Sequence, residues 1–351
     1  MTKRIFIAYT GGTIGMRRTE NGYSPARGYL QEQMQTMPEL WSPEMPEFVV
    51  EEFDPLLDSS NMTPDNWISL AEAIQRNYEQ YDGFVVLHGT DTMAYTASAL
   101  PFFLSGLRKP VIITGSQIAM CEVRNDARQN LISALILAAN SDIPEVCLCF
   151  GASLLRGCRS VKVHSDGMDA FTSPNYPPLA EIGIEITLYP ERFRPAPEEG
   201  TPLRLAPLNQ KAVGVMRLLP GISAQVLRNI LQPPLEGLVL ETYGAGNAPD
   251  NAPLFLNAIA EACERGVVIV NCTQCLRGAV HPEAYETGSA LSRAGVVSGL
   301  DMTVEAALAK LFFLLGSEAS PEAVRRRMGE DLRGELSRTA PRAIKAIIEK
   351  R

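Results

Sequence analysis

The segment Thr63–His88, TPDNWISLAEAIQRNYEQYDGFVVLH, predicts a helix followed directly by a buried strand. Thr63 has the side chain of a helix N-cap, and proline suits the first helical position, where a backbone N–H would go unpaired anyway. An apolar stripe at helical spacing runs through this helix: Trp67, Ile68, Ala71, Ile74 and Tyr78. We therefore expect a helix over Thr63–Tyr81. The mainly apolar run Phe84–His88 is typical of a strand covered on both faces.

The same alternation of strand and helix extends on both sides of this segment. Strand-like apolar runs occur at Ile5–Tyr9, Val111–Thr114 and Val146–Phe150, and a second helical pattern covers Arg124–Asn140. Strands that alternate with helices indicate parallel pairing, because each crossover helix returns the chain to the same edge of the sheet. The expected fold class is α/β, with a mostly parallel, doubly wound sheet and helices on both faces.

The length of 351 residues favours two domains over one. The segment Tyr189–Pro207 contains five prolines and interrupts the alternation, as a linker or a surface excursion would. Smaller strand-like and helix-like runs follow it: Val213–Leu218, Ser223–Leu231, Leu238–Glu241, Ala252–Arg265, Val267–Asn271 and Val304–Leu315. We therefore expect a larger N-terminal domain over 1–190, a linker over 191–212 and a smaller C-terminal α/β domain over 213–351.

The composition is that of a soluble globular protein, with 46% hydrophobic and 21% charged residues. A net charge of -8 argues against nucleic-acid partners and against anionic membranes, so a small-molecule substrate fits better. The N-terminal apolar run is too short for a secretory signal. Seven scattered cysteines suit a reducing compartment, which predicts a cytoplasmic location.

Two predicted strands run into polar, glycine-rich loops. Strand Ile5–Tyr9 leads into Thr10–Gly15, TGGTIG, and strand Phe84–His88 leads into Gly89–Thr92, GTDT. Ligands of open α/β sheets bind beyond the carboxyl ends of the strands, and glycines there permit close approach of the backbone. The first loop matches neither the dinucleotide fingerprint nor the phosphate-loop pattern. It is either a simple turn or a site that presents the hydroxyl of Thr13.

Thr90 and Asp91 place a hydroxyl and a carboxylate side by side at the mouth of the second strand. Helix capping near Met93 would explain Asp91 or Thr92, but not the whole group. Lys162 is a third candidate. An isolated lysine is usually a solvated surface charge, whereas a buried lysine can act as a base toward a hydroxyl. The second interpretation requires that Lys162 meets Thr90 and Asp91 in space.

The motifs Tyr9–Ile14, YTGGTI, and Leu87–Thr92, LHGTDT, resemble the two signatures of the bacterial asparaginase/glutaminase family. Further segments resemble its cytoplasmic, type I branch: Asp58–Pro64, Thr114–Gln117, Tyr243–Pro249 and Asn271–Cys275. The likeness extends from near the first residue to about Leu336. It implies a two-domain α/β fold, a homodimer or homotetramer, and hydrolysis of the side-chain amide of L-asparagine.

The resemblance also implies a role for each matching residue. Thr13 corresponds to the nucleophile, and Tyr23 to a tyrosine on a mobile flap, here Arg17–Arg27, that helps to activate it. Thr90, Asp91 and Lys162 correspond to a set that relays protons and orients the attack. The residues that match substrate-binding positions are Asp58, Ser59, Ser60, Thr90 and Asp91.

These roles give a coherent reaction. A threonine hydroxyl needs an acceptor for its proton, and its attack on the amide would form an oxyanion that the loop backbone stabilises. Collapse would release ammonia and leave a β-aspartyl ester on the enzyme for water to hydrolyse. The sequence leaves the first general base open. It indicates no cofactor and no metal.

Other functions stay open. One extra methylene gives a pocket only about 1–3 kcal/mol of discrimination, so a glutaminase or mixed amidase is an alternative. The amidase component of a tRNA-dependent amidotransferase would be expected to bring further domains or a basic surface. A non-catalytic amino-acid sensor would have no need for the complete set Thr13, Tyr23, Thr90, Asp91 and Lys162.

The remaining chemical candidates are weaker. Three histidines are present: His88, His164 and His281. A Ser-His-Asp triad would need one of them, but the sequence has no Gly-x-Ser-x-Gly elbow. Cys272 and Cys275 have the spacing of a redox or zinc pair, but they lack a second cysteine pair and histidines at zinc spacing.

This chain departs from the type I pattern at a second, effector site for asparagine, which some members carry near subunit contacts. The matching positions are Val161, Glu241 and Thr273–Cys275. Where a hydroxyl and an arginine would serve the effector carboxylate, this chain has valine and glutamate, and glutamate repels a carboxylate. We therefore expect activation by asparagine at this site to be weak or absent.

Overall fold

The computed structural model describes residues 2–20, 22–207, 209, 211–281 and 286–337. The strands in chain order are β1 Arg4–Gly11, β2 Met16–Thr19, β3 Gly22–Pro25, β4 Glu47–Leu57, β5 Gly83–Leu87, β6 Leu104–Ser105, β7 Val111–Thr114, β8 Val146–Phe150, β9 Ser153–Arg156, β10 Val161–Lys162, β11 Phe171–Thr172, β12 Ala180–Ile182, β13 Ile186–Leu188, β14 Arg204–Leu205, β15 Val213–Arg217, β16 Gly237–Thr242, β17 Val268–Thr273 and β18 Val297–Ser298. The helices are α1 Tyr29–Gln35, α2 Pro64–Asn77, α3 Met93–Phe103, α4 Ala127–Asn140, α5 Ala224–Ile230, α6 Pro253–Glu264, α7 Glu286–Arg293, α8 Val304–Ser317 and α9 Pro321–Met328.

One large sheet carries the first half of the chain, in the order β13-β12-β9-β8-β7-β5-β1-β4. Strands β4, β1, β5, β7 and β8 pair in parallel, whereas β9, β12 and β13 add an antiparallel edge. The predicted mostly parallel sheet is confirmed. Because β4, β1, β5 and β7 are parallel neighbours, the loops that follow them emerge at one edge of the sheet.

The two faces of this sheet are covered by different helices. In β1, the side chains of Phe6 and Ala8 enter one core with α2 and α3, whereas Ile5 and Ile7 enter a second core with α4. This alternation follows from the period of two along a strand, and it makes β1 apolar on both faces. The prediction of helices on both faces is confirmed.

A smaller parallel sheet, β15-β16-β17-β18, follows in the second half of the chain. Helices α5 and α6 cover one face with an apolar core of their own. On the other face, α8 packs against α3 of the first half, so Val239 and Leu311 share a core with Phe102. The expected fold class is thus confirmed, while the domain limits 1–190, 191–212 and 213–351 stay a prediction. Residues 338–351 lie outside the described ranges.

The helix α2 follows from its sequence almost as predicted. It begins at Pro64, and the Asn66 side chain accepts a hydrogen bond of 2.8 Å from the backbone N–H of Thr63. It ends at Asn77, four residues before the predicted limit.

Across the part of the chain that the structure describes, no helix combines the length and the apolar character needed to cross a membrane.

Candidate active site

Three backbone segments make close contact at the carboxyl edge of the large sheet. Gly12 has φ of 91°, and a Cβ atom there would lie 2.4 Å from the backbone nitrogen of Gly89. A Cβ atom on Gly89 would lie 2.5 Å from the hydroxyl oxygen of Ser59. Real Cβ atoms do not approach other atoms so closely, so both positions need glycine. The glycines therefore bring the loops after β1, β4 and β5 together.

Thr13 begins a short 3-10 turn, Thr13–Gly15, immediately after this glycine contact. Its side chain is half-exposed, while Ile14 and Gly15 beside it are buried. A Cβ atom on Gly15 would lie 2.1 Å from the hydroxyl of Tyr9, so the turn packs tightly against β1. Thr13 is therefore an accessible residue beside buried neighbours at the end of β1.

The structure brings Thr90, Asp91 and Lys162 together. The Lys162 ammonium nitrogen lies 2.9 Å from the Thr90 hydroxyl oxygen and 2.8 Å from Oδ1 of Asp91. The Lys162 side chain is only 18% exposed, so it is not the solvated surface charge that an isolated lysine usually is. It projects from β10, which pairs with β11 and carries it across to the loop after β5.

Asp58, Ser59 and Ser60 form the loop after β4. Oδ1 of Asp58 accepts hydrogen bonds from the backbone nitrogen of Ser60, at 2.9 Å, and from its hydroxyl, at 2.8 Å. Ser59 is buried, and its carbonyl oxygen accepts a hydrogen bond of 2.7 Å from the hydroxyl of Thr92. The Thr92 side chain therefore joins two loops and does not cap α3, although Thr92 occupies the N-cap position.

Tyr23 lies on the hairpin β2–β3, opposite Arg18, and is 47% exposed. Its hydroxyl donates a hydrogen bond of 2.6 Å to Oε1 of Glu122, and this bond raises the pKa of Tyr23. The structure thus joins Tyr23 to Glu122 in the loop after β7. Among the described residues, the hydroxyl of Tyr23 bonds to Glu122 and makes no hydrogen bond with Thr13.

The loop after β7 supplies two contacts that the sequence interpretation did not assign. Gln117 accepts a hydrogen bond of 3.1 Å from the Thr90 hydroxyl, and Glu122 holds Tyr23. Asp126 anchors this loop, because its carboxylate accepts hydrogen bonds of 3.0 Å from the backbone nitrogens of Gln117 and of Ile118. The position of this loop, after a strand adjacent to β5, was the signal that could have identified it.

His88 forms a buried hydrogen-bonded chain beneath the site. Nδ1 lies 2.7 Å from the carbonyl oxygen of Gly89, and Nε2 lies 2.9 Å from the hydroxyl of Thr96, which accepts from the indole of Trp67. Burial lowers the pKa of His88 to about 4. The neutral ring donates to the Gly89 carbonyl and accepts from Thr96, so it supports the loop that carries Thr90.

The positions expected from the effector site line a separate cavity of about 280 Å³. Val161, Glu241 and Thr273–Cys275 all contribute to its wall. Glu241 forms an ion pair of 3.7 Å with Arg217. Burial raises the pKa of Glu305, which also lines this cavity, to about 7.

The site combines the half-exposed Thr13 with the contact of Lys162 to Thr90 and Asp91 at the edge of a parallel sheet. Two further carboxylates, those of Asp58 and Glu122, lie in the neighbouring loops. In such a site a hydroxyl can act as a nucleophile, neighbouring polar groups can transfer protons, and carboxylates can hold a cationic group of a ligand. Fold and site together define a hydrolase with an α/β fold.

Comparison with known proteins agrees with that class. The family description "Asparaginase, N-terminal" matches residues 4–194, and "Glutaminase/Asparaginase C-terminal domain" matches residues 212–328. The chain belongs to the asparaginase family. It is 53% identical to L-asparaginase 1 of Escherichia coli (strain K12) over 335 residues, which cover 95% of this chain and 98% of that protein.

Solved structures show the same relationship. The crystal structure of L-asparaginase I from Vibrio cholerae has a TM-score of 0.89 and 49% identity, covering 96% of this chain and 100% of that one. The thermostable L-asparaginase from Thermococcus kodakarensis has a TM-score of 0.85 and 34% identity, covering 95% of this chain and 99% of that one.

Proposed function

We propose that this protein hydrolyses L-asparagine to L-aspartate and ammonia, with Thr13 as the nucleophile and a β-aspartyl ester as the intermediate. The contact of Lys162 with both Thr90 and Asp91, beside the loop that carries Thr13, is the observation that carries this proposal. Membership of the asparaginase family and 53% identity to L-asparaginase 1 of Escherichia coli support the choice of substrate.

Asp58 and Asp91 would hold the substrate by its charged groups. Both carboxylates are exposed, and together they would bind the α-ammonium group of an amino acid. Ser59 and Ser60 in the same loop would contact the α-carboxylate and fix the amino-acid backbone. This arrangement would leave the side-chain amide between Thr13 and Thr90, where the loops after β1 and β5 meet.

The hairpin β2–β3 would supply the activating tyrosine. While the Tyr23 hydroxyl donates to Glu122, its oxygen retains a lone pair that can accept a hydrogen bond from Thr13. Closure of the hairpin over the substrate would bring the two hydroxyls together and exclude water during the attack. Thr90, positioned by Lys162, would then orient the water that hydrolyses the ester.

The same proposal includes a cytoplasmic location and a homodimer or homotetramer. All seven cysteines are free thiols, which suits a reducing compartment. Large apolar side chains, among them Trp41, Leu254 and Leu276, are exposed and could be covered by a second subunit. We also propose the domain limits drawn from the sequence, 1–190 and 213–351, because the two sheets lie on either side of the segment 191–212.

Release of ammonia from L-asparagine and L-glutamine by the purified protein tests this function. We expect rapid release from L-asparagine that Thr13→Ala abolishes and that Thr36→Ala, a surface threonine bonded to the carbonyl of Gln33, leaves unchanged. Faster release from L-glutamine would make the protein a glutaminase. No release from either amide, with binding of L-asparagine retained, would contradict the proposal and support an amino-acid sensor.

A further inference from the structure

The carboxamide of Gln117 makes hydrogen bonds at both of its ends. Nε2 donates to the carbonyl oxygens of Ser165, at 3.2 Å, and Gly167, at 3.0 Å. Oε1 lies 3.1 Å from the hydroxyl oxygen of Thr90. The side chain is half-buried, so these protein groups are its main partners.

The two backbone carbonyls determine the orientation of this carboxamide. Carbonyl oxygens only accept hydrogen bonds, so the amide nitrogen of Gln117 must face Ser165 and Gly167. The flipped amide would place its own oxygen against two carbonyl oxygens and would lose both bonds. The amide oxygen therefore faces Thr90, and because that oxygen only accepts, the Thr90 hydroxyl must donate its proton to it.

Because Thr90 donates its proton to Gln117, its hydroxyl can only accept a hydrogen bond from a ligand. A hydroxyl has one proton and two lone pairs. The proton of Thr90 is donated to Gln117, and one lone pair accepts from Lys162 at 2.9 Å. The remaining lone pair can only accept a hydrogen bond. Thr90 is 7% exposed, so its hydroxyl has little room for another arrangement.

We propose that Gln117 is a positioning residue that fixes the Thr90 hydroxyl as an acceptor toward the cleft and so makes the site discriminate between an amide and a carboxylate. This inference rests on the proposed function. A primary carboxamide has two N–H donors, and a water molecule has two O–H donors, whereas an ionised carboxylate has none. A fixed acceptor therefore favours L-asparagine and water, and it disfavours the β-carboxylate of L-aspartate.

The variant Gln117→Met tests this inference, because methionine has a similar length but no acceptor for the Thr90 proton. We expect kcat for L-asparagine to fall about tenfold, the typical effect of one lost hydrogen bond. The freed hydroxyl can then donate to a carboxylate, so the Ki of L-aspartate should fall about threefold to tenfold relative to the KM of L-asparagine. The matched control is Gln75→Met on α2, whose carboxamide donates to the carbonyl of Leu203 and touches no part of the site described above.

A second variant, Gln117→Glu, keeps an oxygen that accepts the Thr90 proton, whether its carboxyl group is ionised or protonated. The ionised carboxylate has no proton for the carbonyl oxygens of Ser165 and Gly167, so this variant loses those two bonds but keeps the bond to Thr90. The ratio of Ki for L-aspartate to KM for L-asparagine should therefore stay near the wild-type value in Gln117→Glu, whereas it falls in Gln117→Met. An equal fall of the ratio in both variants would overturn the inference.

The ratio of Ki to KM separates this role from a structural one. If Gln117 only braces residues 165–167, kcat and the melting temperature of Gln117→Met fall but the ratio stays constant, which would overturn the inference. An unchanged kcat and ratio would also overturn it. Should Gln117→Met fail to fold, Gln117→Leu, which also removes the acceptor, takes its place in the comparison with Gln117→Glu. Failure of the proposed function is distinct, because the wild-type protein would then release no ammonia.

Discussion

The hydroxyl of Tyr23 donates a hydrogen bond of 2.6 Å to Glu122 across 99 residues of sequence. The bond fixes a half-exposed tyrosine of the hairpin β2–β3 to the loop after β7. That loop also carries Gln117, which accepts from Thr90. One loop therefore contacts both the tyrosine and the threonine that the proposed reaction uses.

Loss of the Glu122 carboxylate is expected to impair the hairpin. Without this carboxylate, the Tyr23 side chain loses its bond and has to be ordered each time the hairpin closes over the substrate. We therefore expect kcat/KM of Glu122→Ala for L-asparagine to fall about tenfold. Glu20→Ala is the matched control, because it removes the same charge from the hairpin itself. Steady-state kinetics with melting curves would measure both effects. Equal activity of the two variants would show that the bond to Glu122 does not position Tyr23.

Removal of the Lys162 ammonium group is expected to affect catalysis more than folding. We expect Lys162→Met to lower kcat at least about 100-fold, because a positioned acid or base contributes about that much or more. The Asp91 carboxylate it leaves behind is 66% exposed, so the free energy of unfolding should change little. Lys211→Met is a matched control, because it breaks another lysine–carboxylate contact of 2.8 Å, in this case to Glu236. Similar losses of kcat in both variants would contradict the role of Lys162.

The buried His88 predicts a pH dependence of stability. Its pKa is about 4 in the folded protein, below its ordinary value of 6.5, so the unfolded chain binds a proton first as pH falls. The stabilisation from His88 is present above about pH 6.5 and is lost toward pH 4, by about 3 kcal/mol.

The contribution of Glu305 to stability changes with pH in the opposite direction. Its pKa of about 7 in the folded protein lies above its ordinary value of 4.5, so Glu305 favours folding at low pH.

Urea unfolding of the wild type and of His88→Gln at several pH values isolates the contribution of the histidine. We expect the difference in unfolding free energy between them to shrink from pH 7 to pH 4. A constant difference would refute this prediction.

The cavity that contains Glu241 is expected not to mediate strong activation by asparagine. The glutamate repels a second carboxylate, and Arg217, which could attract one, is already paired with it at 3.7 Å. We therefore expect the rate of ammonia release to rise hyperbolically with the concentration of L-asparagine. A strongly sigmoidal curve would contradict this prediction if substitution of Glu241 or Cys275 made it hyperbolic.

The buried strands and amphipathic helices could be predicted because each has one dominant sequence signal. Strands β7 and β8 have the predicted limits, and α2 begins where its proline indicates. The strand Glu47–Leu57 was missed, because it lies at the edge of the sheet and carries acidic residues and a proline. Helix Met93–Phe103 is buried on nearly every side, so it has no polar stripe to reveal its period.

The candidate site could be predicted only in part. Thr13, Thr90, Asp91 and Lys162 were identified through the family resemblance; Lys162 contacts Thr90 and Asp91 in the structure, while the role of Thr13 stays a prediction. The bonds from Thr90 to Gln117 and from Tyr23 to Glu122 span 27 and 99 residues. Such contacts depend on which strands lie side by side, and local sequence patterns carry no information about that order.

The identity of the nucleophile can be measured directly by trapping the acyl-enzyme. Rapid acid quenching of a single turnover with isotopically labelled L-asparagine, followed by peptide mapping, would locate the attached aspartyl group. We predict label on the peptide that contains Thr13 and none in Thr13→Ala. Label on the peptide that contains Thr90, or full turnover by Thr13→Ala, would contradict the proposed mechanism.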